Sequence, residues 1–131
     1  MIMEREKCHV MVIDDEPIVG KRLKQILEKA GYRIEVFVDG YSALNDLKKS
    51  SYDIIVTDLK MEGVDGMKIL EAARGENPDI KVIIITGFAE METAKEAFKK
   101  GVFDFIAKPF KIDELKQVIL RAEKEIADLK K

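Results

Sequence analysis

Apolar residues gather in five short runs along this chain, at 10–13, 34–38, 54–56, 82–85 and 103–107, each rich in β-branched or aromatic side chains. Three of the runs are continuous rather than alternating, as expected for strands covered on both faces of a sheet. The segments between them change period. Ile18, Val19, Leu23, Ile26 and Leu27 recur at three- and four-residue steps, with Pro17 suited to the first helical position and Gly31 to the stop past the last turn. Further helices are predicted from about 41 to 49 after an Asp39-Gly40 turn, from 66 until about 75, from 91 to 100 before Gly101, and from Pro109 to the end. This alternation predicts an α/β domain: a five-stranded parallel sheet with right-handed crossovers and helices on both faces.

In such sheets a ligand binds outside the carboxyl ends of the strands, at a topological switch point. Four of the runs finish on groups able to bind a phosphoryl group or a metal: "HVMVID" on Asp14, "DIIVTD" on Asp58, "KVIIIT" on Thr86 and "FDFIAK" on Lys108. With the strand order 2-1-3-4-5 of flavodoxin-like sheets, these four endings converge. The second run then lies at the edge, and Asp39 after it is a turn residue outside the convergence.

Each ending also has a plainer reading. Asp14, Asp15 and Glu16 could cap a helix N-terminus, where acids complement the dipole. Capping needs one acid, though, and three in a row repel. Asp58 beside them adds a further carboxylate, a cluster that is costly unless a cation neutralises it. Oxygen ligands without His or Cys suit Mg²⁺. Thr86 before Gly87 reads alone as a turn residue, and Lys108 before Pro109 as a solvated lysine where a strand stops. Together, a carboxylate-bound Mg²⁺, a free carboxylate, a hydroxyl and an ammonium form a site for a phosphoryl group, with Asp58 as nucleophile.

Composition narrows the class without naming it. A chain of 131 residues, 47% hydrophobic and 37% charged, suits one domain with a real core. The net charge of -2, with Lys and Arg scattered, argues against nucleic acid or an anionic membrane as a partner. Cys8 is the only cysteine, which excludes an internal disulfide. No apolar run is long enough to span a bilayer, and "MIMEREK" lacks a secretory apolar region, so the cytoplasm is the default location.

The motifs "VMVIDDEP", "DIIVTDLKMEGVDGMKIL", "VIIITG" and "GVFDFIAKPF", in this order, resemble the receiver domain of bacterial two-component response regulators, the CheY-like family. The resemblance covers residues 9–121, leaving 1–8 as an N-terminal extension and 122–131 as an extension of the last helix. It implies that Asp14 and Asp15 are the acidic pair, Asp58 the phosphoacceptor, Thr86 the hydroxyl partner and Lys108 the phosphate-sensing lysine. It further implies that Asp15, Asp58 and the backbone carbonyl of Lys60 contact Mg²⁺, with Asp14 acting mostly through water, and that the Lys108–Pro109 bond is cis. The phosphodonor would be a phosphohistidine on a sensor histidine kinase or a histidine phosphotransfer protein, and His9 would be structural. Phe105 occupies the aromatic switch position: Thr86 moves toward the phosphoryl group, Phe105 fills the space, and the face of the fourth helix, fifth strand and fifth helix is remodelled. Such a domain is a signalling switch rather than a metabolic enzyme, although it assists its own phosphoryl transfer and loss.

Some positions depart from the common pattern. Glu62 stands where proline is frequent, and Lys60 and Phe88 occupy positions that tune dephosphorylation in relatives, so a bulky Phe88 implies a long-lived phosphoryl group. At the C-terminus Leu115, Ile119, Ala122, Ile126 and Leu129 step by four and three. Ile126 and Leu129 are expected to lie beyond what one receiver covers. That segment reads either as a solvated tail or as the start of a coiled-coil linker or dimer contact leading to an output domain. The wording "DFIAKPF" resembles receivers of NtrC-type activators. Two other classes are disfavoured: a flavodoxin-like cofactor module, because acids rather than glycines follow the first strand, and a haloacid-dehalogenase-type phosphatase, because "DDEP" lacks the DxD nucleophile pattern.

Overall fold

A computed structural model describes residues 8–87 and 90–129. Strands and helices alternate throughout: β1 (His9–Ile13), α1 (Pro17–Lys29), β2 (Arg33–Phe37), α2 (Gly40–Leu47), β3 (Ile54–Asp58), α3 (Gly66–Glu76), β4 (Lys81–Thr86), α4 (Met91–Lys99), β5 (Asp104–Ala107) and α5 (Ile112–Leu129). All strand pairs are parallel and the order is β2-β1-β3-β4-β5, as the pattern predicts. The strand boundaries shift from expectation by one or two residues. β2 stops at Phe37, leaving Val38 outside and exposed, and β5 starts at Asp104, leaving Phe103 just before it.

The continuous apolar runs divide cleanly between the two faces of the sheet. Val10, Val12, Ile54, Val56, Ile83 and Ile85 pack with Leu23 and Leu27 of α1 and with Leu115, Ile119 and Ala122 of α5. Their neighbours Met11, Ile13, Ile55 and Ile84 point the other way, onto Ala43, Leu47, Ile69, Leu70, Ala73 and Ala97 of α2, α3 and α4. Period-two geometry therefore holds in each strand, and both halves of the alternation are apolar because both faces are covered. Each aliphatic side chain removed from water contributes about 1.5–3 kcal/mol. Only the edge strand β2 shows polar alternation, with Arg33 and Glu35 exposed around a buried Ile34.

The last helix corrects one expectation. Ile126 does not lie beyond the cover of one receiver: it is 7% exposed and belongs to the core cluster that holds Tyr32, Ile34 and Ala122. The reason is the 18-residue length of α5, which carries it back to the amino end of the sheet. There the Tyr32 hydroxyl donates to Glu123 at 3.0 Å, and Lys81 pairs with Glu125 at 3.3 Å. Nearer the middle, Arg121 pairs with Asp104 at 2.6 Å, and Phe103 lies under the cations of Lys81 and Arg121. Leu129 is exposed as expected. No helix among the described residues is long and apolar enough to cross a membrane.

Candidate functional site

Parallel pairing sets the carboxyl ends of β1, β3, β4 and β5 side by side. Ile13 is level with Thr57, so Asp14 and Asp58 are the next residues on adjacent strands. Asp58 is level with Ile85, and Thr86 with Ala107, which places Thr86 and Lys108 along the same rim. Backbone bonds hold that rim: Asp14 N–H donates to Phe37 O at 3.1 Å, Leu59 N–H to Ile85 O at 3.2 Å and Lys108 N–H to Thr86 O at 2.8 Å. The Lys108–Pro109 peptide is cis. The Lys108 ammonium donates to Asp58 Oδ2 at 3.2 Å and lies 3.5 Å from Asp14 Oδ2. Asp14, Asp15 and Asp58 each offer a carboxylate oxygen within 4.8 Å of the others.

Asp14 and Asp58 are nearly buried, whereas Asp15 is exposed. Burial raises the Asp14 pKa above its usual value; the Glu16 N–H at 2.9 Å and Lys108 oppose this, and the charges of Asp58 and Asp15 reinforce it. For Lys108, burial works against the charged form, but the hydrogen bond to Asp58 and the attraction of Asp14 and Asp58 outweigh it, so its pKa is raised. One ammonium thus faces two of the three carboxylates, and the cluster is short of positive charge. A hard divalent cation fits that deficit and that donor set: three carboxylates, with no His or Cys among them.

The capping explanation for the acidic triplet does not hold in the structure. Glu16 occupies the N-cap position of α1 without making a side-chain cap, and Asp14 instead closes a local turn by accepting from Glu16 N–H. Thr86 is fully buried at the end of β4. Phe105 is half-buried in β5, level with Ile84, against the cluster under α3 and α4. Lys60 and Glu62 are exposed on the β3–α3 loop. Phe88, read above as a control on dephosphorylation, lies outside the described residues.

Sequence reasoning missed the residues that shape this loop. Asp39 is the N-cap of α2, accepting from Ser42 N–H at 2.7 Å. A Cβ at Gly66 would stand 2.5 Å from the Asp58 carbonyl oxygen, so only glycine lets α3 start so close to the end of β3. The signal was present as three glycines near the motif ends, Gly40, Gly63 and Gly66, but their partners are distant in sequence or unspecified by it.

Comparison with known proteins agrees with this geometry. Residues 10–120 match the family described as the response regulator receiver domain. The chain is 35% identical over 116 residues to the C4-dicarboxylate transport transcriptional regulatory protein DctD of Rhizobium meliloti, covering 88% of this chain and 25% of that protein. Across curated relatives it spans from about a quarter to about half of their length. A solved receiver domain protein from Clostridium thermocellum superposes with a TM-score of 0.88 at 30% identity, covering 93% of this chain and 98% of that one. The beryllofluoride-activated NtrC4 receiver domain dimer gives 0.85 at 33% identity, covering 90% and 98%. This chain therefore belongs to the response regulator receiver domain family, in which it is a phosphorylation-activated signalling module with NtrC-type relatives.

Proposed function

We propose that Asp58 accepts a phosphoryl group from a phosphohistidine on a sensor histidine kinase or a histidine phosphotransfer protein. The observation that carries this reading is the arrangement around Asp58: a nearly buried carboxylate, hydrogen-bonded to the Lys108 ammonium and within 4.8 Å of two further carboxylates. A carboxylate oxygen of Asp58 attacks phosphorus, the P–N bond to the donor imidazole breaks, and the imidazole leaves with its electron pair. Asp14, Asp15, Asp58 and the Lys60 carbonyl would hold Mg²⁺, Asp14 mostly through water. When bound there, Mg²⁺ supplies charge neutralisation at the phosphoryl oxygens. Lys108 turns its ammonium from the bare carboxylate to a phosphoryl oxygen, and the Thr86 hydroxyl donates to another.

Movement of Thr86 toward that group opens space beside β4 and β5 for the half-buried Phe105 ring. Having no hydroxyl, the ring switches through packing alone, and the populations shift because one state gains contacts. The face of α4, β5 and α5 carries the change to an output domain or a partner, or to a second copy of the chain. The receiver unit extends through Ile126, and the residues after it lead toward that output. The chain processes no external metabolite; it assists its own phosphorylation and dephosphorylation in the cytoplasm.

The test is light scattering with Mg²⁺ and beryllofluoride, a mimic of the aspartyl phosphate, together with intact mass after treatment with phosphoramidate. The wild-type protein should gain one phosphoryl group and Asp58→Ala none. Equal labelling of the two proteins would overturn the assignment. A mass doubling that needs Asp58 points to a homodimer, and an unchanged mass to a docked partner.

A further inference from the structure

The β3–α3 loop leaves the phosphoacceptor, carries Lys60 and returns to α3, and its two ends are firmly held. Leu59 is buried, its N–H bonded to Ile85 O and its carbonyl accepting from Gly66 N–H at 2.9 Å. Val64 is buried as well, and α2 reaches it along the same face of the sheet: a Cβ at Gly40 would overlap the Val64 carbonyl oxygen and lie 2.6 Å from its Cβ. Between those anchors the chain turns through Gly63 at φ +81°, a conformation that glycine adopts without strain. The three atoms nearest the place of a Cβ at Gly63 all belong to Tyr41. A Cβ built there would stand 2.7 Å from Tyr41 Cε2 and 3.3 Å from Cζ, so the ring lies directly on the glycine. Tyr41 is otherwise 67% exposed and belongs to neither core cluster.

We infer that Tyr41 is a positioning residue for the phosphorylation site: its ring presses the Lys60–Gly63 turn into the course that presents the Lys60 carbonyl to the metal. This rests on the reading of that carbonyl as a Mg²⁺ ligand. The Asp39 cap fixes the first turn of α2, Gly40 lets that turn touch Val64, and Tyr41 closes over Gly63. The end of β2 thereby acts on the site through the neighbouring loop, although Asp39 itself stays outside the carboxylate cluster. With the ring gone, residues 60–63 sample more conformations, and binding the cation must order them first. A side chain so exposed contributes little to global stability, which separates positioning from simple support.

The experiment is an NMR titration of metal-free protein with Mg²⁺, following backbone amides of the β3–α3 loop, for wild type, Tyr41→Ala and Tyr41→Phe. Amide hydrogen exchange without metal and urea unfolding accompany it. For Tyr41→Ala the expected results are a Mg²⁺ Kd raised roughly threefold to tenfold, faster exchange at 60–63, and an unchanged urea midpoint. Tyr41→Phe, which keeps the ring, should behave as wild type. A wild-type Kd in Tyr41→Ala, or a loss of affinity matched by a lower urea midpoint, overturns the positioning role. If wild type itself shows no Mg²⁺-dependent shift near Asp58, the metal-site reading fails and the inference falls with it.

Discussion

The two ends of the parallel sheet both carry acids, and they treat them oppositely. At the amino end three acidic groups each have a donor of their own: His9 N–H donates to Asp53 at 2.9 Å, Tyr52 to Asp46 at 2.5 Å and Tyr32 to Glu123 at 3.0 Å. His9 stacks on Tyr52 and has its Nδ1 2.8 Å from Ser51 O. Burial and the adjoining carboxylates push both tyrosine hydroxyls well above their usual pKa, so they remain donors. At the carboxyl end three carboxylates cluster and Lys108 pairs with two of them, Asp14 and Asp58. A matched set of partners stabilises the fold, whereas an unmatched one stores a demand for charge that a ligand can meet. Nothing in the count of acids distinguishes the two ends; the pairing does.

The largest expected effect comes from breaking the amino end. Ile126→Ala removes a buried side chain from the seam between α5 and the sheet, and should cost about 2–4 kcal/mol in urea unfolding. Leu129→Ala, at an exposed position, should leave the midpoint where it is. Equal effects from both would deny that α5 packs as far as Ile126.

A smaller loss is expected from Tyr52→Phe, which leaves the Asp46 carboxylate without that hydroxyl donor. It should lower stability by about 1 kcal/mol and leave Mg²⁺ binding untouched. A changed Mg²⁺ affinity would break the separation between the ends.

The smallest shift, and the one opposite in sign, belongs to Asp14→Asn. The folded-state pKa of Asp14 is raised above its ordinary value of 3.8. The folded state therefore holds this proton more tightly, and the stability this contributes is fully present below pH 3.8 and is lost as pH rises through the folded value. In EDTA, Asp14→Asn should gain stability over wild type near neutral pH, and the gain should shrink as pH falls toward 3.8. A variant destabilised at neutral pH would show that Asp14 is satisfied without a cation.

Much of the site was legible because strand endings are a one-dimensional property. Once "HVMVID", "DIIVTD", "KVIIIT" and "FDFIAK" are read as strands, parallel pairing brings Asp14, Asp58, Thr86 and Lys108 to one rim. Other features escaped for physical reasons. Ile126 looked surplus because a heptad step does not reveal how far a neighbouring sheet extends. Val38 and Phe103 looked like strand residues because apolar character extends past the paired residues, after β2 and before β5. Asp39 looked like a turn residue, and its N-cap role rests on the local geometry of Ser42.

The amino-acid sequence by itself determined the alternation of strands and helices, the sheet covered on both faces and the chemistry at four strand ends, because these follow from side-chain period and type. Only the tertiary structure decided which carboxylate has its own donor, how far α5 packs, and that Tyr41 rests on Gly63. Those are distances between residues remote along the chain, set by how helices seat on a twisted sheet rather than by any local preference.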